Sequence, residues 1–370
     1  MIHIKQASFL SLTWLAAGLA LPAVAQPNKS NIIEFDAPGA SLANGGTQPF
    51  ANNNLGEVVG SYTDNNFVPH AFLRTPNGKI TPFDAPGAGL AYGADEGTIA
   101  MSINDLGVIA GQFQDPGNVF HGFVRFPDGS FTSFEAPGAG NGAGQGTMAF
   151  DINLAAETAG VYFDGNNGQH GFVRSPFGAI STFDPRGSVY TMVCEETCLN
   201  LEGAVTGFYL DGASTLHGFL REPDGKITVI DAPGAGAGNY LGTIAASISV
   251  TGEITGYTMD SNSAYHGFVR TSDGRFTTFN VPEAGTGSGQ GTAAFSINPL
   301  GVVTGLFSDA NNAMHGFSRS ANGIFTTFDA RDAGAGAGQG TRPSTNNLEG
   351  AATGWYVDQK GGTHGFLWWP

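Results

Sequence analysis

Charge and sulfur are both scarce in this chain. Asp, Glu, Lys and Arg make up only 12% of it, and only two of its 370 residues are cysteine. With two thiols and no Cys-x-x-Cys spacing, the sequence argues against thiol chemistry. Basic residues are the scarcer sign: 15 Lys and Arg stand against 31 Asp and Glu, for a net charge of −16. That balance excludes a nucleic-acid partner, which needs a basic face, and disfavours docking on an anionic membrane. No Gly-x-Ser-x-Gly and no His-Glu-x-x-His occurs, and no Gly-Lys-Ser/Thr follows the glycine-rich stretches. After the first two dozen residues, nothing approaches the roughly 20 apolar residues of a spanning helix, so no membrane insertion is expected.

Glycine and phenylalanine are abundant, at 57 and 28 residues. With 19 prolines and a 41% hydrophobic content, this composition points to many short strands joined by turns around an aromatic core. The amino terminus stands apart from that pattern. Lys5 precedes a largely apolar stretch from Ser8 to Leu21, and Ala23-Val24-Ala25 forms a small-x-small site before Gln26. Residues 1–25 therefore read as a signal peptide cleaved after Ala25. Residues 26–370 are then one exported domain, secreted to the periplasm or the medium.

A repeat organises that domain. His70, His121, His170, His217, His266, His315 and His364 each precede Gly-Phe, or Ala-Phe in the first copy, at spacings of 51, 49, 47, 49, 49 and 49. Each copy holds four β-prone runs bounded by Gly, Pro and Asn. In the second copy these begin near Ile99 (strand A), Val108 (B), His121 (C) and Phe131 (D). Seven copies of four antiparallel strands predict an all-β fold, a seven-bladed β-propeller. The chain opens on a D-type strand, Ile32 to Asp36, and ends on a C-type strand, His364 to Trp368. Pairing these two would complete one blade from both termini and close the ring, whereas a linear β-solenoid would need caps that neither end supplies.

The His-Ala-Phe and six His-Gly-Phe elements each follow an Asn-x-x-Gly-x-x-x-Gly type segment such as Asn104 to Gly111. In these the sequence resembles the extracellular HAF-repeat proteins of bacteria. The resemblance implies export and repeat structure but no activity.

Recurring polar residues have a scaffold reading. An Asp lies six residues before each His, as Asp115 does before His121. A carboxylate follows fourteen residues after most of them, as Glu135 does, and His364 would meet Asp36 through the terminal join. A three-residue C–D turn, Pro127-Asp128-Gly129, sets Arg125 opposite Phe131 and His121 opposite Glu135, so each His should sit between two carboxylates. Such sets are expected to pin loops. One calcium ion per blade is the sharper alternative, but no dense Asp-x-Asp-x-Asp loop supports it, and no metal or other cofactor is expected. The strand-B glycines, such as Gly111, should mark close backbone approach where blades pack. The glycine-rich D–A loops should be flexible crossovers.

Specific function should be written where the repeat breaks. The largest break is in the fourth copy, where Arg186, Tyr190, Glu195 and Glu196 replace the usual loop and inner strand and bring two carboxylates toward the central channel. Cys194 and Cys198 could be bridged only through a turn or bulge, because four extended residues span about 13 Å. Arg342, placed in a D–A loop, and Trp355, in the last strand B, are further departures. The D–A and B–C loops share one face, the expected ligand surface. The first expectation is a monomeric, non-enzymatic binding or structural module for a glycan, cell-wall component or protein. The alternative is an exported carbohydrate-active enzyme using carboxylates near the fourth copy.

Overall fold

A computed structural model of the protein describes residues 31–91, 96–193 and 197–370. Residues 1–30, with the expected leader, and Asp95, Cys194, Glu195 and Glu196 lie outside the described residues. Those that are described form 28 strands and one short 3-10 turn at Leu42–Asn44. Every repeat supplies its four strands in the expected order. In the second repeat they are Gly97–Ile103, Ile109–Gln114, Phe120–Arg125 and Phe131–Phe134, each antiparallel to the next. The seventh unit is Gly340–Asn346, Ala352–Val357 and Thr363–Trp368, with Ile32–Phe35 as its fourth strand. Ile32 pairs with Trp368 and Phe35 with Gly365, and the Trp369 N–H reaches the Asn31 carbonyl at 2.7 Å.

The C–D register follows from its turn. Gly129, at φ +87°, lets the chain reverse within three residues, and the Phe126 N–H donates to the Ser130 carbonyl at 2.9 Å. Arg125 therefore faces Phe131, Phe123 faces Ser133, and Glu135 lies just beyond the ladder within reach of His121.

Strand C builds the core. Phe72, Phe123, Phe172, Phe219, Phe268, Phe317 and Phe366 are fully buried, one per repeat. The preceding strand-C residue must stay small, because a Cβ on Gly122 would come 2.8 Å from the Phe134 ring of strand D. The strand-B glycines do mark a close approach, but within their own sheet rather than between blades. A Cβ on Gly111 would lie 2.2 Å from the Ile99 carbonyl oxygen of strand A. Strand A is bulged beside this point, with its register shifting between Ala100 and Ser102 and at the matching place in five other repeats. The fourth repeat differs: its strand A, Ser188–Val193, shifts register early, between Ser188 and Tyr190, and Leu199 returns only as an isolated bridge to Val205.

Neighbouring units are fastened by stacking. The strand-C guanidinium lies over the preceding unit's strand-D phenylalanine: Arg125 over Phe83 at 4.6 Å, Arg174 over Phe134 at 4.7 Å, Arg319 over Phe279 at 4.8 Å, and Arg74 over Phe35 at 4.9 Å. In the seventh unit Trp368 replaces arginine and stacks flat on Phe328 at 4.1 Å.

Candidate functional site

The recurring histidines sit where the turn register puts them. His217 Nδ1 lies 2.7 Å from Asp231 and its Nε2 3.4 Å from Asp211. His170 lies 2.7 Å from Asp184 and 3.6 Å from Asp164. His364 meets Asp36 at 3.0 Å across the terminal join, and His266 has Asn280 in place of the second carboxylate. Six of the rings also stack on the strand-B aromatic, as His170 does on Tyr162 at 4.9 Å. The set continues into the next unit. The buried Thr147 hydroxyl, at the start of strand A, donates to Glu135 at 2.8 Å and accepts the Ala136 N–H at 2.9 Å. Gly146 before it has φ +113°, and a Cβ there would fall 2.0 Å from the Phe120 carbonyl oxygen, so only glycine lets strand A come this close to the preceding strand C.

This geometry holds each imidazole between two acceptors. The hydrogen bond to Asp84 is the main reason His70 has a raised pKa, against the opposing effect of its burial. The B–C turn carboxylates move the other way. The Gly168 backbone N–H lowers Asp164, the Thr215 N–H lowers Asp211, and the Ala264 N–H lowers Asp260, with their histidines helping. Each member of the set therefore has partners within the scaffold.

The D–A loops are not loose crossovers. Gln145 Oε1 accepts the Gly142 N–H at 3.0 Å while its amide donates to Asn167 at 2.9 Å, and the Gly144 N–H reaches the Asn118 carbonyl at 2.8 Å. Gln290 and Gln339 tie their loops in the same way. These bonds join the D–A loops to B–C turns, so the two loop sets share one side of the molecule.

Of the residues singled out on that side, Arg186 lies in an exposed D–A loop and Tyr190 is half-buried in strand A, its hydroxyl 3.9 Å from the Met192 sulfur. Arg342 lies not in a loop but on strand A of the seventh unit, directly across from Trp355, because that strand already begins at Gly340. Its guanidinium sits 5.4 Å from the Trp355 ring and 4.8 Å from Phe295 of the sixth unit. Tyr257 of the fifth unit meets Phe295 edge-on at 6.2 Å, and Tyr265 lies 5.7 Å from Tyr257. Two separate sequence departures thus converge in one half-buried aromatic and guanidinium cluster spanning three units.

The carboxylate pair expected from Glu195 and Glu196, and the Cys194 partner of the expected bridge, lie outside the described residues. Cys198 is buried, and its carbonyl accepts the Thr206 N–H at 2.9 Å. Beside it is a carboxylate that sequence reasoning missed. Asp151, on strand A of the third unit, is 3% exposed and accepts from the Ser102 hydroxyl at 2.7 Å, the Leu199 N–H at 2.9 Å and the Ile152 N–H at 2.8 Å. Burial pushes its pKa up to about 6, against the pull of these donors. Other units carry Ser102, Ser247 and Ser296 at the equivalent place, so the lone Asp was the available signal. It captures a backbone N–H of the irregular fourth segment.

On the opposite side the A–B turns surround a recess of about 260 Å³ lined by all seven units. Asn53 donates its amide to the Asn104 carbonyl at 3.1 Å, Asn104 to Asn153 at 3.0 Å, and Asn153 to Asn200 at 2.9 Å. Asn298 donates to Asn347 at 2.9 Å and Asn347 to Asn53 at 3.3 Å, joining the last unit to the first. The Oδ1 of each caps its own turn, as Asn104 does for the Leu106 and Val108 N–H groups. Ser249 interrupts the series.

No family model matches the chain, and no curated protein matches it. Several solved structures resemble it in fold. A virginiamycin B lyase from Staphylococcus aureus superposes with a TM-score of 0.54 at 14% identity, covering 92% of this chain and 99% of its own. The BP39L lectin from Burkholderia pseudomallei gives 0.50 at 9% identity, covering 90% and 97%. The β-propeller domain of the Trilobed protease from Pyrococcus furiosus gives 0.52 at 10% identity, covering 87% and 95%. At these identities the likeness concerns architecture alone, and with the strand pattern it makes this chain a β-propeller.

Proposed function

We propose that this chain is an exported, ring-closed, seven-bladed propeller of the HAF-repeat type, acting as a non-enzymatic binding module for a glycan. Seven four-stranded units, the pairing of Ile32–Phe35 with Thr363–Trp368, and the Asn347-to-Asn53 bond support closure. The leader-like residues 1–25 support export.

One observation carries the binding assignment: the half-buried Arg342, Trp355 and Tyr257 around Phe295, on the side of the D–A loops. Aromatic faces stack on the C–H face of a sugar ring, and a guanidinium donates to its hydroxyls, while rigid strands hold both in place. Titration of the mature chain against a glycan panel, with product analysis of the same samples, tests the assignment. Binding without turnover that weakens tenfold or more in Trp355→Ala is expected. Turnover, or affinity unchanged by Trp355→Ala, would overturn it.

A further inference from the structure

A second break in the repeat lies on the opposite side. The C–D turns of the first four units carry Pro76, Pro127, Pro176 and Pro223 at their second position, and Pro370 stands at the matching place after the last strand C. The fifth and sixth units carry Ser272 and Ala321 instead. In three units the proline ring packs toward the A–B turn of its own unit: a Cβ on Gly107 would lie 3.4 Å from Pro127, one on Gly350 3.4 Å from Pro370 and one on Gly56 3.6 Å from Pro76. Ser272 and Ala321 keep this contact through their Cβ, 3.4 and 3.2 Å from a Cβ on Gly252 and Gly301, but carry no ring beyond it, and a recess of about 560 Å³ lies between the fifth and sixth units, lined by residues of both.

A third departure converges there. Asn53 and Asn153 each donate their amide to a glutamate in the same turn, Glu57 and Glu157, at 2.8 Å. Ser249 replaces that asparagine in the fifth unit, and the Glu253 carboxylate instead receives the Thr251 hydroxyl at 3.5 Å. Glu253 lines the recess with acceptor capacity that its counterparts direct inward.

We propose that this recess is a second binding site, separate from the Arg342–Trp355 cluster, and that its ligand is a neutral oligosaccharide. The four charged side chains lining it, Glu253, Asp273, Arg275 and Arg319, sum to zero, so the site favours neither an anion nor a cation. Carboxylate and hydroxyl groups of the fifth unit form one wall, and Pro299 and Leu300 of the sixth form the other, with Leu300 63% exposed. A pyranose has the same two characters, a hydroxyl edge and a C–H face. The volume falls within the roughly 300–1,000 Å³ of small-molecule sites.

The test uses the native mature chain with cellotetraose, chitotetraose, maltotetraose and xylotetraose, followed by saturation-transfer NMR and calorimetry. At least one sugar should bind in a mode that Trp355→Ala leaves intact. Ser272→Pro/Ala321→Pro restores the residue that the first four units accept at this turn position, where the fixed φ of proline fits. It should weaken that mode tenfold or more with an unchanged melting temperature. Glu253→Gln, which keeps the shape and removes the charge, should weaken it several-fold and serves if the double variant fails to fold. The proposal is overturned if none of the four sugars binds, if both variants bind as the native chain does, or if Trp355→Ala abolishes all binding. The last result would leave the reading at the Arg342 cluster standing.

Discussion

The two sides of this propeller are fastened by different chemistry. On the side of the D–A loops six of the seven units use an imidazole between two carboxylates, the fifth having Asn280 in place of one, and Thr147 and Thr191 each reach such a carboxylate from the next unit. On the side of the A–B turns the same task falls to neutral asparagine amides donating to backbone carbonyls one unit on. Both recur with the repeat, but the first is built around imidazoles and carboxylates and the second around uncharged amides, two of which also reach Glu57 and Glu157.

The largest effect should come from the neutral side. Asn104→Ala removes a donor to Asn153 and the acceptor for the Leu106 and Val108 N–H groups, all at a buried position. Chemical denaturation should show a loss of about 2–4 kcal/mol. The loss should be equal at pH 5 and pH 8, and a pH-dependent loss would break the contrast. His70→Ala should cost less, about 1–2 kcal/mol, through the bond to Asp84 and the stack on Tyr62. That loss should vary with pH, because the bond to Asp84 raises the His70 pKa.

Acid should separate the groups further. Asp164, Asp211 and Asp260 have folded pKa values below the usual one, so their contribution is complete above about pH 4 and fades as pH falls through the lowered values. His70 is raised, so its contribution is complete below about pH 6.5 and fades as pH climbs through its folded value. Asp151 gives the smallest signal, of opposite sign to the other aspartates. With a folded value of about 6 against 3.8, the native state holds its proton longer than the unfolded chain, so stability declines as pH rises between those values. Asp151→Asn should flatten that part of a melting-temperature profile against pH, and an unaltered slope would show that Asp151 does not titrate there.

Much of this architecture was legible in the residues, for a local reason. A three-residue turn determines which residues face each other, so His121 and Glu135 could be paired from spacing alone, and the same arithmetic joined His364 to Asp36. The asparagine belt was missed although Asn104 sits in the motif that defines the repeat. Its partner is the carbonyl of a residue 49 positions on, and no turn geometry within one unit points to it. Arg342 was misplaced by counting a glycine-rich loop past its true end, whereas its strand starts at Gly340. Its convergence with Trp355 and Tyr257 depends on how three units pack, which spacing within one unit does not encode.

The strand formed by Ile32–Phe35 leaves the ribosome long before its partner, Thr363–Trp368. Six units can assemble in order of synthesis while this segment waits with its edge unpaired. A chain truncated anywhere before residue 363 would keep that edge exposed, and with it Phe35, over which Arg74 of the first unit is stacked. The pairing of Ile32–Phe35 with Thr363–Trp368 thus reports on assembly of the seventh unit: a protease that cuts near Ile32 distinguishes chains in which it has formed from those in which it has not.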